Sequence, residues 1–87
     1  MKTTAKPTPH KNITGKRIRT ARLSRYPSLS QQGLALQLNA HGLALDQGMI
    51  SRIEACDRFV LDYEVKAIAR CLKASIAWLY GERGAKR

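Results

Sequence analysis

Acidic residues are scarce. Six Asp and Glu stand against sixteen Lys and Arg in 87 residues, a formal charge of +10. An excess this large on so short a chain points to a polyanionic partner, either nucleic acid or an anionic membrane surface. Long apolar runs are also lacking. The longest falls far short of the ~18 residues that a spanning helix needs, so no spanning segment is expected, and no membrane stands among the expected partners. Met1-Lys2-Thr3-Thr4-Ala5-Lys6-Pro7 has no apolar stretch of signal-peptide type, and a cytoplasmic protein is expected. The two cysteines, Cys56 and Cys71, are too few for a disulfide scaffold. They read as reduced, partly buried thiols, with a Cys56–Cys71 bridge as the less favoured alternative. Neither His10 nor His41 has a Cys or carboxylate at metal-ligand spacing. Gly15-Lys16 lacks the upstream glycine of a phosphate-cradling loop. No catalytic residues, cofactor or metal are expected, and an enzyme is not.

An apolar fraction of 44% is enough for a core and excludes a merely disordered basic tail. The length allows one small domain. Residues 1–12, with Pro7, Pro9 and three lysines but hardly an apolar side chain, read as a disordered basic arm. Residues 13–81 read as the folded body and 82–87 as a short flexible tail. The charge is uneven: residues 1–17 carry five Lys or Arg and no acid, whereas residues 18–81 carry eight against five.

The body has helical periodicity throughout and no convincing period-two alternation. Val65, Ile68, Ala69 and Leu72 form one stripe at i, i+3, i+4, i+7, behind Asp62 as N-cap and Glu64 in the first turn. Ile76, Leu79 and Tyr80 follow a Ser75 cap. Leu34, Ala35 and Leu38 follow Ser30, and Ile50 and Ile53 follow Asp46. Thr14 opens a first helix with Ile18 and Ala21 inward. Tyr26-Pro27-Ser28 and Asn39-Ala40-His41-Gly42 punctuate these segments. The expected fold class is therefore all-α, with short helices and no sheet.

Within this frame the order Leu29-Ser30-Gln31-Gln32, Leu34-Ala35, Leu38, then Asp46-Gln47-Gly48-Met49-Ile50-Ser51-Arg52-Ile53-Glu54, then Ser75-Ile76-Ala77-Trp78-Leu79 resembles the Cro/repressor-like, or XRE, helix-turn-helix family. The resemblance covers nearly the whole body. It implies a five-helix, lambda-repressor-like DNA-binding domain whose helix-turn-helix is formed by the second and third helices.

A helix-turn-helix lays its second helix in the major groove, so that helix needs one apolar and one hydrogen-bonding side. Ile50 and Ile53 face inward. Gln47, Gly48, Ser51 and Arg52 face outward as candidate base readers, because Gln pairs bidentately with adenine and Arg with guanine. Gly48 lets a backbone approach closely. Met49 reads either as a contact to a thymine methyl or as a cover on the core edge. Gln31, with Gln32 beside it, lies at a helix N-terminus suited to phosphate. The resemblance implies that Gln31 touches the DNA backbone and orients Gln47; the alternative is a solvated first-turn residue. It also implies phosphate contacts from the loop carrying Arg58, with Lys16 and Arg19 as further candidates. Arg22 and Glu54 match a structural ion pair of the family that orients the recognition helix.

Several features depart from the family pattern. The turn around Ala40 to Ala44 is lengthened, with Leu43 expected to pack and His41 as a possible phosphate ligand. The Ser24–Ser28 connector is longer as well. Cys56 and Lys73 stand where glycine is usual, both at left-handed helix ends.

The implied function is sequence-specific binding of double-stranded DNA as a transcriptional regulator, a repressor of phage or mobile-element type. The protein would act as a homodimer on a palindromic operator, with Trp78 and Tyr80 as candidate interface anchors. Trp78 reads equally as an intramolecular core residue. Two alternatives stand beside this: an antitoxin that neutralises a protein toxin and autoregulates its operon, and a binder of nucleic acid by charge alone.

Overall fold

A computed structural model describes residues 10–25 and 27–87. The expectations for the arm over residues 1–9 and for Tyr26 lie outside these residues. The described chain is all-α: α1 (Gly15–Leu23), α2 (Gln31–Ala40), α3 (Gln47–Glu54), α4 (Asp62–Leu72) and α5 (Ile76–Leu79), with no strand among the described residues. None of these helices is long and apolar enough to cross a membrane.

Three helices start where a short polar side chain can accept an orphan N–H. Ser30 Oγ accepts from Gly33 N at 2.9 Å, Asp46 Oδ1 from Met49 N at 2.8 Å, and Ser75 Oγ from Trp78 N at 3.0 Å. The other two starts differ from expectation. Asp62 is inside α4, and Leu61 occupies the N-cap position. Glu64 reaches back to accept from Leu61 N at 3.0 Å, the carboxylate half of a capping box. At α1, Thr14 caps nothing with its side chain. Asn12 Oδ1 instead accepts from Thr14 N and Gly15 N at 3.1 and 2.8 Å.

Four helix ends close by the same bond pattern, an N–H just past the helix returning to the carbonyl five residues back. Leu43 N bonds Leu38 O, Asp57 N bonds Arg52 O, Ala74 N bonds Ala69 O, and Glu82 N bonds Ala77 O. The residue turned left-handed is Gly42 in the first (φ 86°) and Gly81 in the last (φ 74°). In the other two it is Cys56 (φ 61°) and Lys73 (φ 55°), so both bear the steric cost of a Cβ in that region.

The apolar stripes converge on one core. Ile18, Leu34, Leu38, Ile50, Ile53, Ile68 and Leu79 are fully buried within it. At about 1.5–3 kcal/mol per buried aliphatic side chain, this cluster is the main stabilising element. α3 packs on α1 and α2, α4 on α1 and α2, and α5 on α4 and α1. Leu45 is buried, and Leu43 packs half-buried on the core. Asn39 Nδ2 donates to both Ala35 O and Leu45 O at 2.6 and 2.8 Å, which tacks the lengthened 41–46 turn to α2.

Both edges of the body extend further than the sequence suggested. Lys11 N donates to Cys56 O at 2.8 Å, and Asn12 Nδ2 donates to Ile53 O and Arg58 O at 3.1 and 2.8 Å. Residues 11 and 12, read as arm, are thus tied to the end of α3. In the tail, Lys86 O accepts from Ser75 Oγ at 2.6 Å and Arg87 Nη1 donates to Ser24 Oγ at 2.8 Å, so residues 86 and 87 lie against the body.

Candidate nucleic-acid interface

The N-cap at Asp46 and the burial of Ile50 and Ile53 fix how α3 is rotated. Gln47, Gly48, Ser51 and Arg52 are left exposed along its outer side. The side chains of Gln47, Ser51 and Arg52 make no hydrogen bond or ion pair with described residues. Their donors and acceptors therefore face solvent unclaimed. Gly48 has open space around it: an added Cβ would meet only Asp46 Oδ1, at 3.4 Å. Nothing inside the protein requires a glycine there. Met49 is half-buried and packed against the edge of the core.

A buried polar network supports α3 from behind. Arg22 Nε and Nη2 donate to Glu54 Oε2 and Oε1 at 2.7 and 2.9 Å in a bidentate pair, with side-chain exposures of 8% and 3%. Arg22 Nη1 donates to Leu29 O at 2.8 Å, and Gln31 Nε2 donates to Glu54 Oε1 at 3.1 Å. The hydrogen bonds to Glu54 raise the Arg22 pKa, with burial opposing them and the Glu54 charge adding to them. The Arg22–Glu54 pair thus joins α1, the connector before α2, the first residue of α2 and the end of α3. Charge-assisted bidentate bonds of this kind specify geometry as well as energy.

The residues expected at phosphate are dispersed in their engagements. Gln31 has its amide on Glu54 rather than on Gln47, whereas Gln32 is exposed. Arg58 is paired with Glu64: Nη1 to Oε1 at 3.0 Å and Nη2 to Oε2 at 3.3 Å, with Nη1 also donating to Phe59 O at 3.0 Å. A phosphate would have to compete with that carboxylate, so the side chain of Arg58 is a structural partner in the free protein. Burial pushes Glu64 up, but the hydrogen bonds from Arg58 and Leu61 N and the Arg58 charge outweigh it. Its pKa accordingly lies below the ordinary 4.5. Lys16 and Arg19 are exposed on α1, their side chains unpartnered among the described residues. His41 Nδ1 lies 2.9 Å from Gln37 O, which anchors the ring to the end of α2.

The two interface anchors separate. Trp78 is half-buried against the core, with the guanidiniums of Arg17 and Arg87 lying 4.8 and 5.1 Å from its ring centroid. Arg17 Nη1 also donates to Trp78 O at 3.2 Å, so Trp78 is held within its own chain. Tyr80 is 41% exposed and shares a groove of about 400 Å³ with Tyr63, Ile76, Asp62, Val65 and Lys66.

Two determinants of this interface have no periodic signal in the sequence. An added Cβ on Gly15 would lie 2.1 Å from Ile53 O, so glycine at the start of α1 is what lets α3 approach. Asn12 uses its amide nitrogen on main-chain carbonyls at the end of α3 and in the loop after it, and its oxygen on the start of α1. An Asn three residues before Gly15 is a cap signature that could have identified it. Cys56 and Cys71 are both free and buried, and burial pushes the Cys71 thiol up, with the Arg25 charge opposing. No cluster of metal-ligating side chains occurs among the described residues. No protein-family model, curated protein or solved structure matches the chain.

Proposed function

We propose that this chain is a sequence-specific binder of double-stranded DNA, acting in the cytoplasm as a transcriptional regulator. The reading extends to a repressor of phage or mobile-element type, as the XRE resemblance implies. The observation that carries it is the contrast between the two sides of α3. The inner side is fixed by two buried isoleucines and by the Arg22–Glu54 pair, whereas Gln47, Ser51 and Arg52 on the outer side are unpartnered. A helix is held rigidly while its amide, hydroxyl and guanidinium groups are left free, as base-edge recognition in the major groove requires.

In this reading Arg52 and Gln47 carry discrimination, Ser51 adds an adaptable hydrogen bond, and Gly48 permits close approach. Lys16, Arg19 and Gln32 supply backbone contacts that position the protein without reading sequence. Two copies would bind a palindromic site as a homodimer. The exposed face of Tyr63, Ile76 and Tyr80 suits their interface better than Trp78, which its own chain covers.

Selection of bound duplexes from a random pool tests this function. The reading expects enrichment of two inverted half-sites, centred about 10–10.5 base pairs apart. Absence of any enriched sequence at moderate salt would overturn it and leave binding by charge alone. Recovery of one unpaired site would retain base reading but reject the two-fold arrangement.

A further inference from the structure

We propose that the pocket between the lengthened turn and α4 is a binding site for a small phosphate-bearing anion, either inorganic phosphate or the phosphate of a small monoester. This inference does not depend on the DNA-binding reading. The pocket has a volume of about 220 Å³ and is lined by His41, Tyr63, Lys66, Ala67 and Arg70. Three of these five can carry positive charge, Tyr63 adds a hydroxyl, and none is acidic. Lys66 and Arg70 are one turn apart on α4, and like charges at that spacing repel. Neither has a hydrogen-bond or ion-pair partner among the described residues.

The neighbouring end of α2 does not account for the two cations. Three of its last four carbonyls are already taken: Leu38 O accepts from His41 N and Leu43 N, Asn39 O from Gly42 N, and Gln37 O from the His41 ring. A carbonyl can only accept, so the hydrogen of that last bond is on Nδ1; Nε2 then accepts from a phosphate hydroxyl in the neutral ring and donates to a phosphate oxygen only in the imidazolium. The ring is held by Gln37 O and by a 3.9 Å contact to Cys71 Sγ, so His41 is oriented before any ligand arrives. The volume suits phosphate or a small ester but falls below the ~300 Å³ usual for larger ligands. α2 is ten residues long, so this site lies about 15 Å along the helix from Gln31. Because the 41–46 turn carries Asp46, the cap of α3, an anion bridging α4 to the turn would stiffen the segment that presents α3.

The test is a titration of the full chain with sodium phosphate, followed by amide NMR at constant pH and with chloride holding ionic strength fixed. The expected result is saturable shifts at residues 41–44 and 63–70, weakened at least about tenfold in K66Q/R70Q. H41A serves as a second variant, expected to weaken binding without altering charge on α4. Shifts that never saturate, that persist in both variants, or that spread equally over Lys16, Arg19 and Arg52 would show an adventitious ion only and overturn the proposal. So would shifts at these residues with duplex DNA but none with phosphate, which would make the pocket a contact to the DNA backbone.

Discussion

Breaking the Arg22–Glu54 pair from one side should be far more harmful than removing it entirely. Glu54 is 3% exposed at its side chain and takes three hydrogen bonds, from Arg22 Nε, Arg22 Nη2 and Gln31 Nε2. Arg22→Met removes two of them and leaves a buried carboxylate with Gln31 alone. Stranding a buried charge in this way costs about 3–5 kcal/mol. At roughly 0.05–0.15 kcal/mol per residue, a chain of 87 residues holds roughly 4–13 kcal/mol in all, so the single variant should lose about a quarter or more of its stability. Glu54→Met strands the guanidinium with only Leu29 O, at similar cost. The double variant buries two apolar side chains instead and leaves no unpaired charge. Urea unfolding of the four proteins, followed by circular dichroism, gives the coupling energy. We expect more than about 2 kcal/mol of coupling, with the double variant more stable than either single one. If the two single losses sum to the double loss within about 0.5 kcal/mol, the pair does not act as a unit and does not hold α3 in place.

Three further predictions concern residues with separable roles. Gly48→Ala should leave stability unchanged or raise it by up to about 1 kcal/mol, since the site is open and helical, yet weaken DNA binding; a fully active variant would mean that no DNA backbone approaches there. Lys73→Gly should raise the urea midpoint by the equivalent of about 0.5–1 kcal/mol, because Lys73 is exposed at a left-handed φ of 55°; no change would show that the Cβ carries no strain there. Glu64 is lowered from its ordinary 4.5, so its contribution is present above that value and is lost as pH falls through the lower folded pKa. In Glu64→Gln, the acid-induced loss of stability below about pH 4.5 should therefore be shallower than in the parent, and an identical slope would exclude the Arg58 pairing in solution.

What was legible in the sequence follows from the range of the interactions involved. The inward set of Ile50 and Ile53 was readable because helical periodicity is local. So were the caps at Ser30, Asp46 and Ser75, each acting on an N–H three residues on. The left-handed turns at Cys56 and Lys73 were readable through the family resemblance, which marks both positions as glycine sites, and through helix ends closing in a fixed pattern. Contacts to main-chain atoms far along the chain leave no such trace. Asn12 reaches Arg58 O across 46 residues, and Gly15 is required by the proximity of Ile53 O. The pairing of Arg58 with Glu64 and the covering of Trp78 by Arg17 and Arg87 were hidden for a related reason. A surface cation has many partners within reach, and only the folded arrangement selects one. Charge and pattern thus located the exposed side of α3. They did not reveal which neighbouring cations are already engaged.

We propose that α3 reads base sequence rather than charge alone. It is tested most directly by measuring, at one fixed salt concentration, the affinity of the full chain for its selected duplex and for a scrambled duplex of equal length, alongside Arg52→Ala. We predict a preference of at least about 10³ for the selected duplex, falling by about 1–3 kcal/mol in Arg52→Ala at one position of each half-site. Equal affinities for the two duplexes, or a preference untouched by Arg52→Ala, would contradict it.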